Sequence, residues 1–210
     1  MSSDIGIGVV LLGIAGYFAY QAAQTPATKQ TGTDVTSIFD TLFSPSNVGE
    51  TPLITAANGF LTLQQVHDLA QSLIDQYGFN VSADMATAIA IIESGDISLP
   101  QNGCNPNAYR YESGINDASL GIMQVLSGTA AALAGQGYSA FGIPAAADLY
   151  NPQEGMYFGL ANLDQLSRNG NADGTVSWIV QSYNAGPGHA STAYLTKFNT
   201  ALAWLQQNGI

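Results

Sequence analysis

Charge is what this chain has least of. Asp, Glu, Lys and Arg make up 9% of its 210 residues, against about 25% in ordinary soluble domains. The shortage is lopsided: 4 Lys and Arg stand against 15 Asp and Glu, for a net charge of −11. So few cations cannot replace phosphate counterions, which excludes nucleic acid as a partner. Cysteine is nearly absent too. Cys104 is alone, so no intrachain disulfide forms, and it reads as a half-buried structural thiol. The two histidines, His67 and His189, belong to no cluster with metal-ligand spacing, so neither a metal nor another cofactor is expected. Strand-like alternation of apolar and polar residues is also missing.

One long apolar run is present. Ile5 to Ala23, "IGIGVVLLGIAGYFAYQAA", has no charge and is close to the length that crosses a bilayer. Tyr17 and Tyr20 sit toward one end, where amphipathic rings favour the headgroup level. The rival reading is a cleaved signal peptide, but "MSSD" carries no basic residue and no clean small-x-small site follows. Residues 1–23 are therefore expected to form a single-pass membrane anchor, with a lipid bilayer as partner. Lys29 is the one nearby basic residue, so orientation is not readable. Residues 24–61, rich in Thr, Ser, Pro and Gly, read as a linker.

From Thr62 the pattern turns helical, and a mostly α domain over 62–210 is expected. Leu63, Val66, Leu69, Leu73 and Tyr77 recur at helical spacing, with Thr62 as cap and Gly78 as stop. Ser82 caps a second helix running to Glu93 or Ser94, its inner side formed by Met85, Ala88, Ile89 and Ile92. "SLGIMQVLSGTAAALAG" reads as a turn entering a third. Asn151 and Pro152 open a fourth, Asp173 a fifth through Trp178 and Tyr183, and the last covers about Ser191 to Gln207, with Tyr194, Leu195, Phe198, Leu202 and Leu205 on one face. Trp178 and Trp204 are expected in the core.

Glu93 falls in the last turn of the second helix, where the carbonyl end of the helix dipole disfavours a negative charge. Its apolar neighbours add a desolvation effect of the same sign. Both raise the pKa, as a group that must hold a proton near neutral pH requires.

Three separated segments, "AIIESG", "SLGIMQVLSGTA" and "SYNAGPG", resemble in that order the Glu-Ser, Gly-Leu-Met-Gln and Ala-Tyr-Asn-Ala-Gly motifs of the soluble lytic transglycosylases. "LYNPQEGMYFGLANLDQL" is similar to that family's Asn-Pro-containing helix. The resemblance covers nearly all of residues 62–207 and none of the anchor or linker. It implies a lysozyme-like helical fold that cleaves the MurNAc–GlcNAc β-1,4 bond of peptidoglycan glycan strands, leaving 1,6-anhydroMurNAc, with Glu93 as sole catalytic carboxylate and no cofactor. It also implies that Ser119, Met123, Gln124, Tyr183 and Asn184 line the cleft, with Ser119 bonded to Glu93 or the substrate N-acetyl. Ile122 and Ser182 depart from the family's Leu and Ala, both small changes. On the residues alone, Tyr183 and Asn184 also fit a core aromatic and a helix-ending Asn, Met123 a core side chain, and Gln124 a helix cap.

Related goose-type lysozymes share the general fold and hydrolyse instead, using a second carboxylate about 6.5–9.5 Å across the cleft. Asp96, Glu112 and Asp117 are the candidates for it, although Glu112 also fits a structural ion pair with Arg110. A third reading is a wall-binding protein that cuts nothing. An anchored enzyme of this kind suits a bacterial envelope or a virion membrane of a bacteriophage that opens the wall at entry, with envelope or virion proteins as partners.

Overall fold

Thr62 begins the helical part of the fold as its sequence predicts: its hydroxyl accepts from the Gln65 backbone N–H while the Gln65 side chain accepts from the Thr62 N–H. In this computed structural model, residues 55–56, 59–168 and 175–210 are described. The expected anchor at 1–23 and most of the linker lie outside them. Among the described residues no helix is long and apolar enough to cross a membrane.

Helix α1 (Leu63–Tyr77) ends at Gly78, whose φ of 69° provides the left-handed C-cap. Helix α2 (Ala83–Ser94) starts on the Ser82 hydroxyl. Its burial differs from the expected single face. Ile91 is fully buried while Ile92 is only half-buried, because α1 and α6 (Thr192–Asn208) pack on different sides of α2 and leave almost no polar flank. Helices α3 (Ser127–Gly135), α4 (Pro152–Arg168) and α5 (Val176–Ala185) complete six α-helices among the described residues. Asn151 Oδ1 caps α4 by accepting from Gln153 N at 3.0 Å. The start expected at Asp173 falls outside the described residues; α5 begins at Val176 on a Thr175 cap.

The domain is mostly helical as expected, and two small β features accompany the helices. Strands β1 (Thr55–Ala56) and β2 (Phe60–Leu61) pair where the linker was expected to end. Leu61 then exchanges two backbone hydrogen bonds of 2.9 Å with Cys104, which is fully buried rather than half-buried. Burial pushes its thiol up to about 12. Strands β3 (Tyr109–Glu112), β4 (Asp117–Leu120) and β5 (Val125–Leu126) form an antiparallel sheet with Arg110 opposite Ser119 and Glu112 opposite Asp117. These strands are short, β3 is mostly exposed, and β4 buries consecutive rather than alternate residues, so no hydrophobic alternation marks them.

The core runs between α1, α2, α4 and α6 and contains Leu73, Ile89, Phe158 and Phe198. Trp178 and Trp204 lie at its edge, half-buried. One buried charge, Asp164 on α4, accepts from Asn80 N, Tyr138 Oη and Arg168 Nε, tying the loop after α1 to α4.

Candidate active site

Glu93 projects from the end of α2, and the end of that helix is fixed from two sides. Gly95 closes it against the following loop: a Cβ there would lie 2.9 Å from Ile91 O and 3.0 Å from Gly103 O. Ser94, fully turned inward, donates to Ile122 O at 2.7 Å and so ties α2 to the 121–124 turn.

That turn is built from backbone constraints. Gly121 has φ of 73°, and a Cβ would sit 2.0 Å from Leu149 O, so only glycine fits. Gln124 takes φ of 48° and braces the turn by donating to Ala108 O (2.9 Å) and Gly121 O (3.1 Å). Met123 is fully buried against Gly159 of α4. Its backbone carbonyl accepts from Tyr183 Oη at 2.8 Å. Gln124, Met123 and Tyr183 therefore come together around one turn beside Glu93, and their polar atoms are used to hold it. Asn184 is exposed and donates to Ser191 Oγ at 2.9 Å.

Ser119 does not bond to Glu93, one of the two partners that the resemblance implied for it. It is buried on β4 and donates to Glu112 Oε1 at 3.1 Å, because the antiparallel register brings its side chain to the Arg110–Glu112 face of the sheet. Glu112 also accepts from Arg110 Nε, the ion pair that was one of its two readings.

Asp117 is bound elsewhere: it accepts from Ser127 Oγ (2.5 Å), Gly128 N (2.9 Å) and Ala118 N (2.7 Å), at the start of α3. Burial alone would raise its pKa, but those hydrogen bonds together outweigh it and hold the carboxyl below its ordinary range. Asp96 is exposed and accepts from Ser98 N two residues on, forming its own turn.

The group in direct contact with Glu93 is Tyr194, one turn into α6, whose hydroxyl donates to Glu93 Oε1 at 2.6 Å. The sequence sets Tyr194 on one helix face with Leu195 and Phe198 and does not assign it this role. A tyrosine among Leu and Phe at core spacing is the available signal, since a buried hydroxyl needs a partner. Desolvation raises the Glu93 pKa above its ordinary 4.5, opposed by the Tyr194 hydrogen bond and then by the charges of Arg110 and Lys197, while Glu112 adds a small push upward. Two of the chain's four cations thus act on this one carboxylate. Tyr194 and Tyr183 are both held neutral, first by burial and then by the Glu93 charge. Among the described residues no group of His, Cys, Asp and Glu is placed to hold a metal ion.

No curated protein matches the chain. A family model described as the transglycosylase SLT domain matches residues 72–202, a span that includes Glu93, the 121–124 turn, Tyr183 and Tyr194. With that match covering well over half of its length and this site at its centre, the chain belongs to the transglycosylase SLT domain family, the lytic transglycosylases of the lysozyme-like superfamily, which cleave peptidoglycan.

Proposed function

We propose that Glu93 is the single acid and base of a transglycosylase reaction ending in 1,6-anhydroMurNAc. The observation that carries this is the isolation of a carboxyl whose pKa is raised by burial. Glu93 has a raised pKa and a neutral tyrosine donor, whereas Asp117 and Asp96 are committed to their own turns and Glu112 to Arg110 and Ser119.

Protonated Glu93 gives its proton to the glycosidic oxygen as the bond to C1 of MurNAc breaks, and the bonding pair leaves with that oxygen. The Glu93 carboxylate then takes the proton of the sugar's own C6 hydroxyl while O6 bonds to C1. The ring closes, Glu93 is reprotonated, and no water is consumed. One group serves both steps because its pKa lies nearer the working pH than that of an ordinary carboxyl. The substrate's N-acetyl group stabilises the cationic centre, so no second enzymic carboxylate is required. Met123, Gln124 and Tyr183 act here by holding the turn beside Glu93, and Ser119 by holding Glu112. Asn184, exposed at the end of α5, is the member of the set left to reach the sugar.

Hydrolysis is the second reading, and Glu112 is the residue that favours it, since its charge is felt at Glu93. The test is mass spectrometry of muropeptides released from purified peptidoglycan by the full chain. Products ending in 1,6-anhydroMurNAc, each one water lighter than the hydrolytic product, are expected. Reducing-end MurNAc would replace the first reading with the second. Glu93→Gln abolishes release in either case, and retained release would remove Glu93 from the mechanism. Normal glycan binding with no release by the parent protein would leave only a wall-binding role.

The same reading keeps residues 1–23 as a bilayer anchor and sets the enzyme at a bacterial envelope or in a virion membrane. What supports it is the uncharged apolar run alone. Flotation of the full chain with liposomes, lost when Leu11 and Leu12 are both replaced by Asp, tests the anchor. Recovery in purified virus particles rather than in uninfected cells tests the setting.

A further inference from the structure

The outer face of α6 carries an open groove of about 520 Å³ that the chemistry at Glu93 does not use. Ile97 and the half-buried Trp204 give it an apolar wall. Asn199 and Gln207, both exposed, line it with side-chain amides for which no protein partner exists among the described residues. Thr196 and Thr200 also line it. Their hydroxyl protons go to the carbonyls of Thr192 and Thr196, which leaves their oxygens as acceptors toward the groove. No charged side chain takes part.

We propose that this groove is an accessory glycan site, holding a stretch of neutral sugar backbone away from the bond that Glu93 cleaves. The chemistry of the lining matches such a ligand. A pyranose ring presents an apolar C–H face to an aromatic ring and a belt of hydroxyls and N-acetyl groups to amides, which both donate and accept. The indole N–H of Trp204 is a further donor. An uncharged lining suits the glycan backbone and offers nothing to the carboxylates of stem peptides.

Position supports the same occupant. Ile97 lies four residues beyond Glu93 in the chain, and α6 carries both Tyr194, bonded to Glu93, and the groove. From Thr196 to Gln207 the helix axis runs about 16 Å, long enough for a short run of sugars rather than one ring. A strand seated there would stay with the enzyme after a cut. This inference rests on peptidoglycan being the substrate and is independent of whether the product is anhydro or hydrolysed.

The test uses the full chain carrying Glu93→Gln, so that nothing is cut, with fluorine-labelled tryptophan and a peptide-free hexasaccharide of alternating GlcNAc and MurNAc whose lactyl carboxyls are capped as amides and therefore neutral. Trp178→Phe separates the two tryptophan signals. The Trp204 signal is expected to shift on titration. The paired exposed substitutions Asn199→Ala and Gln207→Ala, which leave the core side of α6 untouched, are expected to weaken that binding about tenfold, as one or two lost hydrogen bonds require. Ala203→Glu, which puts a charge in the groove, should abolish it. A Trp204 signal that does not move, with the unmodified enzyme still cutting the same hexasaccharide, overturns the groove and leaves the active site standing. A shift without cutting supports the groove and removes the reaction. A shift that survives all three substitutions places the sugar elsewhere and overturns the proposal.

Discussion

Tyr194 and Glu93, 101 residues apart in the chain, are joined by a 2.6 Å hydrogen bond from the tyrosine hydroxyl to Oε1. The donor favours the carboxylate form and therefore opposes the desolvation that raises the Glu93 pKa. The carboxyl is balanced between the two, which is what a group acting first as acid and then as base needs. Tyr194→Phe removes the opposing contribution. The Glu93 pKa should then rise further, moving the pH–rate profile of wall digestion toward alkaline pH, and the maximal rate should fall about tenfold for a lost hydrogen bond to a charged group. A profile that stays in place would show that Tyr194 only packs.

Glu93 also makes stability depend on pH. Its folded pKa is raised above the ordinary 4.5, so the native state holds the proton more tightly than the unfolded chain. The resulting stabilisation is full below the unfolded value and is lost as pH rises through the folded one. Glu93→Gln stays neutral throughout. The variant should melt higher than the parent at pH 7, and the gap should close below the ordinary carboxylate range. Paired thermal melts across pH 4 to 8 give the answer, and an unchanged gap would contradict the desolvation argument.

Asp117 has the opposite sign. It accepts from Ser127 and Gly128 at the start of α3, and its pKa is lowered below 3.8. The stability it supplies is present above that value and is lost as pH falls through its folded pKa. Asp117→Ala should cost about 1–2 kcal/mol at neutral pH, the range of a lost helix cap, with the difference shrinking in acid. The muropeptide products should remain anhydro. Denaturant melts and product masses check the two halves separately.

Gly159 of α4 is the contact surface for Met123. A Cβ there would lie 2.6 Å from both Cβ and Cγ of Met123 and 2.9 Å from its Cε. Gly159→Ala would favour an isolated helix, yet here it should destabilise by about 1–3 kcal/mol through overpacking. Because the Met123 carbonyl holds Tyr183, activity should fall more than unfolding explains. Assays well below the melting temperature separate the two effects.

The helices were legible because each is marked locally. Thr62 and Gly78, Ser82 and Gly95, and Asn151 with Pro152 are cap and stop signals that need no tertiary information. The raised pKa of Glu93 was legible for a related reason: an acid set behind Ile91 and Ile92 at a helix end is in conflict with its surroundings. The β3–β4 hairpin was not. Tyr109, Arg110 and Tyr111 are all exposed, so the strand has no buried face to write a period-two pattern. Missing the hairpin meant missing its register, and with it the pairing of Ser119 to Glu112 rather than Glu93. Tyr194 could be placed on one helix face with Leu195 and Phe198, and it is buried, but where its hydroxyl points depends on how α6 crosses α2.

The backbone pairing of Leu61 with Cys104 determines where the chain can be cut. Cys104 is fully buried where Leu61 pairs with it, and Gly103 lies so close to β2 that a Cβ would sit 2.1 Å from Leu61 O. A fragment starting at Thr62 would keep every helix and still open this seam, leaving the N–H and C=O of Cys104 unpaired. The sulfur then becomes a chemical gauge of the domain's edge: silent toward a thiol reagent while β2 is attached, and titratable once it has been trimmed away.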